Sequence, residues 1–238
     1  MIKALILDCG GVMVQPREGD WMLPPGYQQY LGADFIERHG EAFRAAKAQA
    51  FDFLPDARKI ATDQEEYALL RSYYDIVLNR ELGLALDEEA IAAIARLQAY
   101  GDERYIFFDD VAPYMDRWKE RFQLGMLSDA PPSLGRIMQV KGYLQKLHGY
   151  VLSCELGVLK PDPAMYQAIL DRLNVRPQEA VFVDDLPKNL LGAQALGIHC
   201  VQMLRPMPDF YHPAPGWDGP QAHGFRELNQ LLSVMAAV

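Results

Sequence analysis

The stretch "LILDCGGVMV" at residues 5–14 constrains this chain more than any other. An apolar run over 4–7 leads into Asp8, and two glycines then turn the chain. A short, wholly apolar run ending this way reads as a buried strand with an aspartate at its carboxyl end. Open α/β sheets bind their ligands outside the carboxyl ends of their strands, so Asp8 is the first functional candidate. Gly10 and Gly11 let backbone N–H groups approach a ligand closely, and position 10 is expected to need a positive φ.

Further runs of this kind lie at 122–127, 149–152, 180–183 and 198–203. Helical patterns separate the later ones at 133–146, 162–173 and 187–196, and a last helix is expected over 224–236 after the Pro/Gly-rich segment 205–220. Strand and helix in alternation predict an α/β fold with a Rossmann-like parallel sheet. The segment 17–100 differs. It has helical spacing throughout, a Thr62–Glu65 capping box and Asp87 as an N-cap. A single βαβ connection needs only about 30 residues. The reading is therefore an α/β core over 1–16 and 101–238, with 17–100 as an inserted all-helical cap domain. "FFDD" at 107–110 reads as the N-cap of a helix over 111–121.

With 50% hydrophobic and 23% charged residues, the chain can build a sizeable core. Its formal charge of −9, with no Lys/Arg cluster, argues against nucleic acid and anionic membrane as partners. Three scattered cysteines give no disulfide framework and suit a reducing, cytoplasmic setting. The apolar start is cut by Asp8 and reads as a strand rather than a signal peptide. No run approaches the ~18 apolar residues of a membrane helix.

In a parallel sheet the strand ends share one edge. Asp8 ends the first strand, Ser128 and Asp129 the second, and Asp184 and Asp185 the fourth, while Lys160 follows the third in "LKPDP". Crowded carboxylates repel unless a cation joins them. Oxygen-only donors suit Mg²⁺, and the lack of His or Cys among them disfavours zinc. Pro131 and Pro132 have no N–H, so anion-binding donors after Ser128 must come from Asp129 and Ala130. Such a pocket holds a phosphate facing Asp8, and a carboxylate so placed can attack phosphorus.

These four motifs in order, "DCGGV", Ser128, Lys160 in "KPDP" and "VDDLPKN" followed by "GAQALG", resemble the haloacid dehalogenase superfamily of phosphohydrolases. The resemblance covers nearly the whole chain. The helical insertion is similar to that family's first type of cap. It implies a hydrolase acting on a small phosphorylated metabolite with Mg²⁺. Asp8 is then the nucleophile and a metal ligand, with the Gly10 carbonyl, Asp185 and a supporting Asp184 as further ligands. Ser128 and the Asp129 N–H bind phosphate, Lys160 neutralises Asp8 and phosphate, and Asn189 holds Lys160.

Gly10 departs from the family pattern, which usually has an acid/base aspartate there. General acid–base catalysis contributes about 10²–10⁴-fold, so slowed turnover is expected unless another group, such as Asp129, replaces it. Two alternatives follow: a phospho-ligand-binding protein with little turnover, and a haloacid dehalogenase. Dehalogenases need no Mg²⁺, which would leave the Asp184–Asp185 pair without a purpose. A phosphoacceptor receiver is excluded by motif order and length, a P-loop by the lack of its glycine–lysine motif, and a thiol phosphatase by the lack of an arginine six residues after any cysteine. Cys9 is expected to pack behind the loop. Trp21, Tyr27, Tyr30 and His39 are the candidate substrate contacts from the cap.

Overall fold

The structure is a computed structural model and describes residues 1–50, 59–206 and 216–235. Six parallel strands form the main sheet in the order β5-β4-β1-β6-β7-β8. They are β1 (Ala4–Leu7), β4 (Gln123–Ser128), β5 (Gly149–Leu152), β6 (Ala180–Asp184), β7 (His199–Met203) and β8 (Gln221–Ala222). The chain leaves the central β1, builds β4 and β5 on one side, then crosses to β6 on the other. A crevice opens where the strand order reverses in this way.

Register carries the strand-end rule to particular residues. Leu7 pairs with Met126 and with Val183. Asp8 therefore lies level with Leu127 and Asp184, and Ser128 and Asp185 stand one residue further out. Strand side chains alternate between faces. Leu5, Leu7, Leu124, Met126, Val181 and Val183 pack on one face against α5 (Val111–Trp118), α6 (Pro132–Val140) and α10 (Phe225–Met235). Ala4, Ile6, Leu127 and Phe182 pack on the other against α8 (Pro163–Leu173) and α9 (Pro187–Ala195).

Between β1 and β4 the chain forms α1 (Gln28–Leu31), α2 (Phe35–Ala50), α3 (Asp63–Tyr74), a π-helical turn at Asp75–Glu81 and α4 (Glu88–Tyr100). These elements have a hydrophobic core of their own, built on Phe35, Phe43, Tyr73, Tyr74 and Ile94. The Thr62–Glu65 capping box starts α3, and the Asp87 carboxylate accepts the Ala90 N–H at the start of α4. No helix among the described residues is long and apolar enough to cross a membrane.

The structure departs from the sequence reading in several places. β2 (Val14–Pro16) and β3 (Tyr105–Phe107) pair antiparallel and flank the helical insertion. Strands of three residues are too short to show periodicity. The helix expected over 133–146 stops at Val140, because Gly142 turns the chain with φ +78° and only a 3₁₀ turn, Leu144–Lys146, follows. The Asp110 side chain does not cap α5. Its Oδ2 instead accepts from the Phe225 N–H at 2.8 Å and from Arg205 at 2.7 Å. Parts of two expected elements, position 51 of the cap helix and 207–215 of the Pro/Gly-rich segment, lie outside the described residues, as does position 236.

Candidate active site

The strand ends close around one lysine. Lys160 Nζ lies 2.9 Å from Asp8 Oδ1 and 2.7 Å from Asp184 Oδ2, and it donates to the Leu127 carbonyl at 3.2 Å. Ligand oxygens of Asp8, Asp184 and Asp185 lie within 4.8 Å of one another, and all three residues are buried. The Lys160 backbone N–H donates to Asp129 Oδ1 at 2.9 Å, which ties the third strand's loop to the second strand's end. Asp8, expected at the surface, is only 7% exposed.

Asn189 does not touch Lys160. Its Nδ2 donates to both oxygens of Asp184, at 3.1 and 3.0 Å, and the Leu186 N–H donates to Asp184 Oδ1 at 2.8 Å. Asp184 is thus turned inward and fully engaged as the anchor of Lys160, while Asp8 and Asp185 face the crevice. Of the two anion donors expected after Ser128, the Ala130 N–H is already given to Ser153 Oγ at 3.0 Å. Ser128 itself is buried and lines the crevice.

The two glycines have separate tasks. Gly11, not Gly10, takes the positive φ, +68°. A Cβ on Gly11 would lie 2.6 Å from Asp185 Oδ2, so only glycine lets that carboxylate come in. Gly10 lacks the backbone constraint, but a Cβ there would lie 3.3 Å from the Trp21 ring.

Burial raises the pKa of Asp8, with Asp184 adding to the shift and Lys160 opposing it. Burial also raises that of Asp185, helped by Asp184 and Asp8. For Lys160, burial works against the charged form, but Asp184, Asp8 and Asp129 outweigh it and hold the ammonium charged. Three buried carboxylates thus lie close to one buried ammonium. Cys9 is buried with its thiol pushed up, first by burial and then by Asp8, as befits a packing residue.

The crevice encloses about 340 Å³. Asp8, Ser128, Asp129, Lys160 and Asp185 line its floor, and Trp21, Met22, Gln98, Arg104, Tyr105 and Leu134 also border it. Of the candidate cap contacts, Trp21 is there. Tyr27 packs edge-on to Phe35 and Tyr30 joins the cap core, while His39 lies against the Phe35 ring.

Sequence reasoning missed Arg104, Glu66 and Ser133, which join cap to core. Glu66 on α3 accepts from the Ser133 N–H at 3.0 Å and from its Oγ at 2.7 Å. Arg104 donates to the same Oγ at 2.5 Å and lies 3.8 Å from Glu66 Oε1. All three are buried. In the sequence Glu66 and Arg104 end ordinary charged runs and Ser133 follows two prolines, with no spacing signal that links them.

A family model described as haloacid dehalogenase-like hydrolase matches residues 2–197. Over 140 residues the chain is 31% identical to the glyceraldehyde 3-phosphate phosphatase of Methanopyrus kandleri, covering 56% of this chain and 58% of that protein. Over 56 residues it is 50% identical to acyl-CoA dehydrogenase family member 10 of Mus musculus, covering 24% of this chain and 5% of that protein. The chain thus spans less than two thirds of the length of either relative. The L-2-haloacid dehalogenase of Xanthobacter autotrophicus, solved with chloropropionic acid covalently bound, is similar in fold, with a TM-score of 0.70 over 98% of this chain and 99% of that one at 18% identity. The matched family model spans the Asp8 strand, the cap and every strand-end motif: the chain belongs to the haloacid dehalogenase-like hydrolases.

Proposed function

We propose that this hydrolase is a Mg²⁺-dependent phosphatase that cleaves a small phosphate monoester through an aspartyl-phosphate on Asp8. One observation carries the reading. Three buried carboxylates converge within 4.8 Å around a single lysine. Like charges so close and so dry need more positive charge than Lys160 supplies. The donors are all oxygens, which fits Mg²⁺. Asp8, Asp185 and the Gly10 carbonyl would hold the ion, with Asp184 in support through Lys160. When bound, it neutralises the phosphate and the carboxylates that face it. The phosphatase relative from Methanopyrus kandleri agrees with this reading.

The chain's own residues do the rest. Lys160 takes up Asp8 Oδ1, which leaves Oδ2 to attack phosphorus. Ser128 Oγ and the Asp129 N–H hold the transferring phosphate, and Lys160 offsets its charge. Water then attacks the aspartyl-phosphate and returns Asp8 as a carboxylate. The small crevice favours small metabolites over proteins as substrates.

The test is hydrolysis of 4-nitrophenyl phosphate with Mg²⁺, with EDTA, and in Asp8→Asn. Activity that needs both the metal and Asp8 is expected. Metal-independent halide release from 2-chloropropionate, with no phosphate ester cleaved, would overturn the reading in favour of a dehalogenase. Tight binding of phosphate esters without turnover would leave a binding protein.

A further inference from the structure

Trp21 and Gly10 fit each other. Trp21 lies in the loop between β2 and α1, and the Gln98 Nε2 on α4 donates to its carbonyl at 2.9 Å. Its ring packs against Tyr105 with centroids 5.8 Å apart. A Cβ on Gly10 would meet Cη2 and Cζ2 of the indole at 3.3 and 3.4 Å. The ring therefore stands at tight van der Waals contact with the point where a side chain at position 10 would begin, two residues from Asp8, and it lines the same crevice.

We infer that Trp21 closes the leaving-group side of the site in place of a side chain at position 10, and that the substrates are aryl or enol phosphates, whose leaving group departs as a stable oxyanion. The inference rests on the phosphatase reading of Asp8. In phosphoryl transfer the attacking and leaving oxygens lie roughly in line, so the leaving oxygen points away from Asp8. Trp21, Met22, Tyr105 and Leu134 form a largely apolar wall to the crevice. Trp21, Met22 and Leu134 have no acidic proton to give, and they suit a flat, apolar leaving group packed against the indole.

The electron count follows. An Asp8 oxygen donates a pair to phosphorus, and the ester P–O bond breaks with its pair leaving on the aryl or enol oxygen. Water then donates a pair to the same phosphorus, and the P–O bond to Asp8 breaks, returning the carboxylate. Both water protons end on the released phosphate.

Three esters of similar size test the claim: 4-nitrophenyl, phenyl and benzyl phosphate, the last with an ordinary alcohol as leaving group. Wild type should show kcat/KM at least about 10²-fold higher on the two aryl esters than on benzyl phosphate, the scale of a missing general acid. Near-equal values would overturn the proposal. Gly10→Asp alone should give no gain on benzyl phosphate, whereas Gly10→Asp combined with Trp21→Ala should raise it. A gain from the single change would mean that Trp21 does not fill the space. A stability cycle reads the contact without activity. Gly10→Leu, which has the branched shape of aspartate without its charge, should lower Tm in wild type and much less in Trp21→Ala. Equal losses would overturn the packing claim. No turnover of any ester would remove the phosphatase reading instead, and the cycle alone would then decide the Trp21 contact.

Discussion

Two buried ionic clusters sit on either side of the crevice, and they are built differently. On the cap side Glu66 and Arg104 balance each other, and Ser133 hydrogen-bonds to both. On the core side Asp8 and Asp184 share Lys160, and Asp185 lies beside them. The first cluster is electrically closed and joins a cap helix to a core helix. The second crowds three buried carboxylates close to one ammonium. Buried charge of that kind is costly unless something offsets it. The contrast separates a cluster that joins cap to core from the one we propose binds a cation.

The largest effect should come from the core cluster. Asp8→Asn removes the proposed nucleophile and should abolish phosphate ester hydrolysis, while circular dichroism stays that of wild type. Retained turnover would take Asp8 out of the chemistry. Glu66→Ala should be the most damaging to stability, because it strands Arg104 in the interior. Breaking one partner of a buried pair costs about 3–5 kcal/mol. Urea unfolding would read this, and Mg²⁺ affinity should stay unchanged, since Glu66 belongs to the closed cluster. A loss of Mg²⁺ affinity on that change would merge the two clusters into one.

Asp185→Asn should do the opposite to the metal-free protein. Asp185 ionises near 3.8 when unperturbed, and burial and its two acidic neighbours raise that in the fold. Above the ordinary carboxylate range the unfolded chain therefore holds fewer protons than the folded one, and stability falls as pH rises. In EDTA, wild-type Tm should drop from pH 5 to pH 8, and Asp185→Asn should drop less and melt higher at pH 8. A variant that melts lower at pH 8 would contradict this pH dependence. Ser133→Ala should have the smallest effect, about 1 kcal/mol for the lost hydroxyl bonds, with no change in the pH dependence.

The core cluster was legible in the sequence because a strand-end rule needs only order. Apolar runs ending in Asp8, Ser128 and Asp184–Asp185 place those residues on one edge whatever the loops do. The parallel sheet was legible for the same reason. The fine wiring was not. Asn189 was expected on Lys160, and it grips Asp184 instead, since a helix residue's reach depends on how α9 is seated. Position 10 was expected to carry the positive φ, which the neighbouring glycine takes. Glu66, Ser133 and Arg104 are far apart in sequence and meet only when cap packs on core. Trp21 was one of several aromatic candidates, and only its contact with Gly10 sets it apart from Tyr27 and Tyr30.

The most direct test of the contrast is Mg²⁺ binding by calorimetry, with thermal unfolding alongside, on wild type and Asp185→Asn at pH 8. Wild type should bind one Mg²⁺ and gain Tm with the logarithm of its concentration above Kd, and Asp185→Asn should do neither. A wild-type protein whose stability is indifferent to Mg²⁺, or a variant that binds the ion as tightly, would contradict the claim that the core cluster binds a cation.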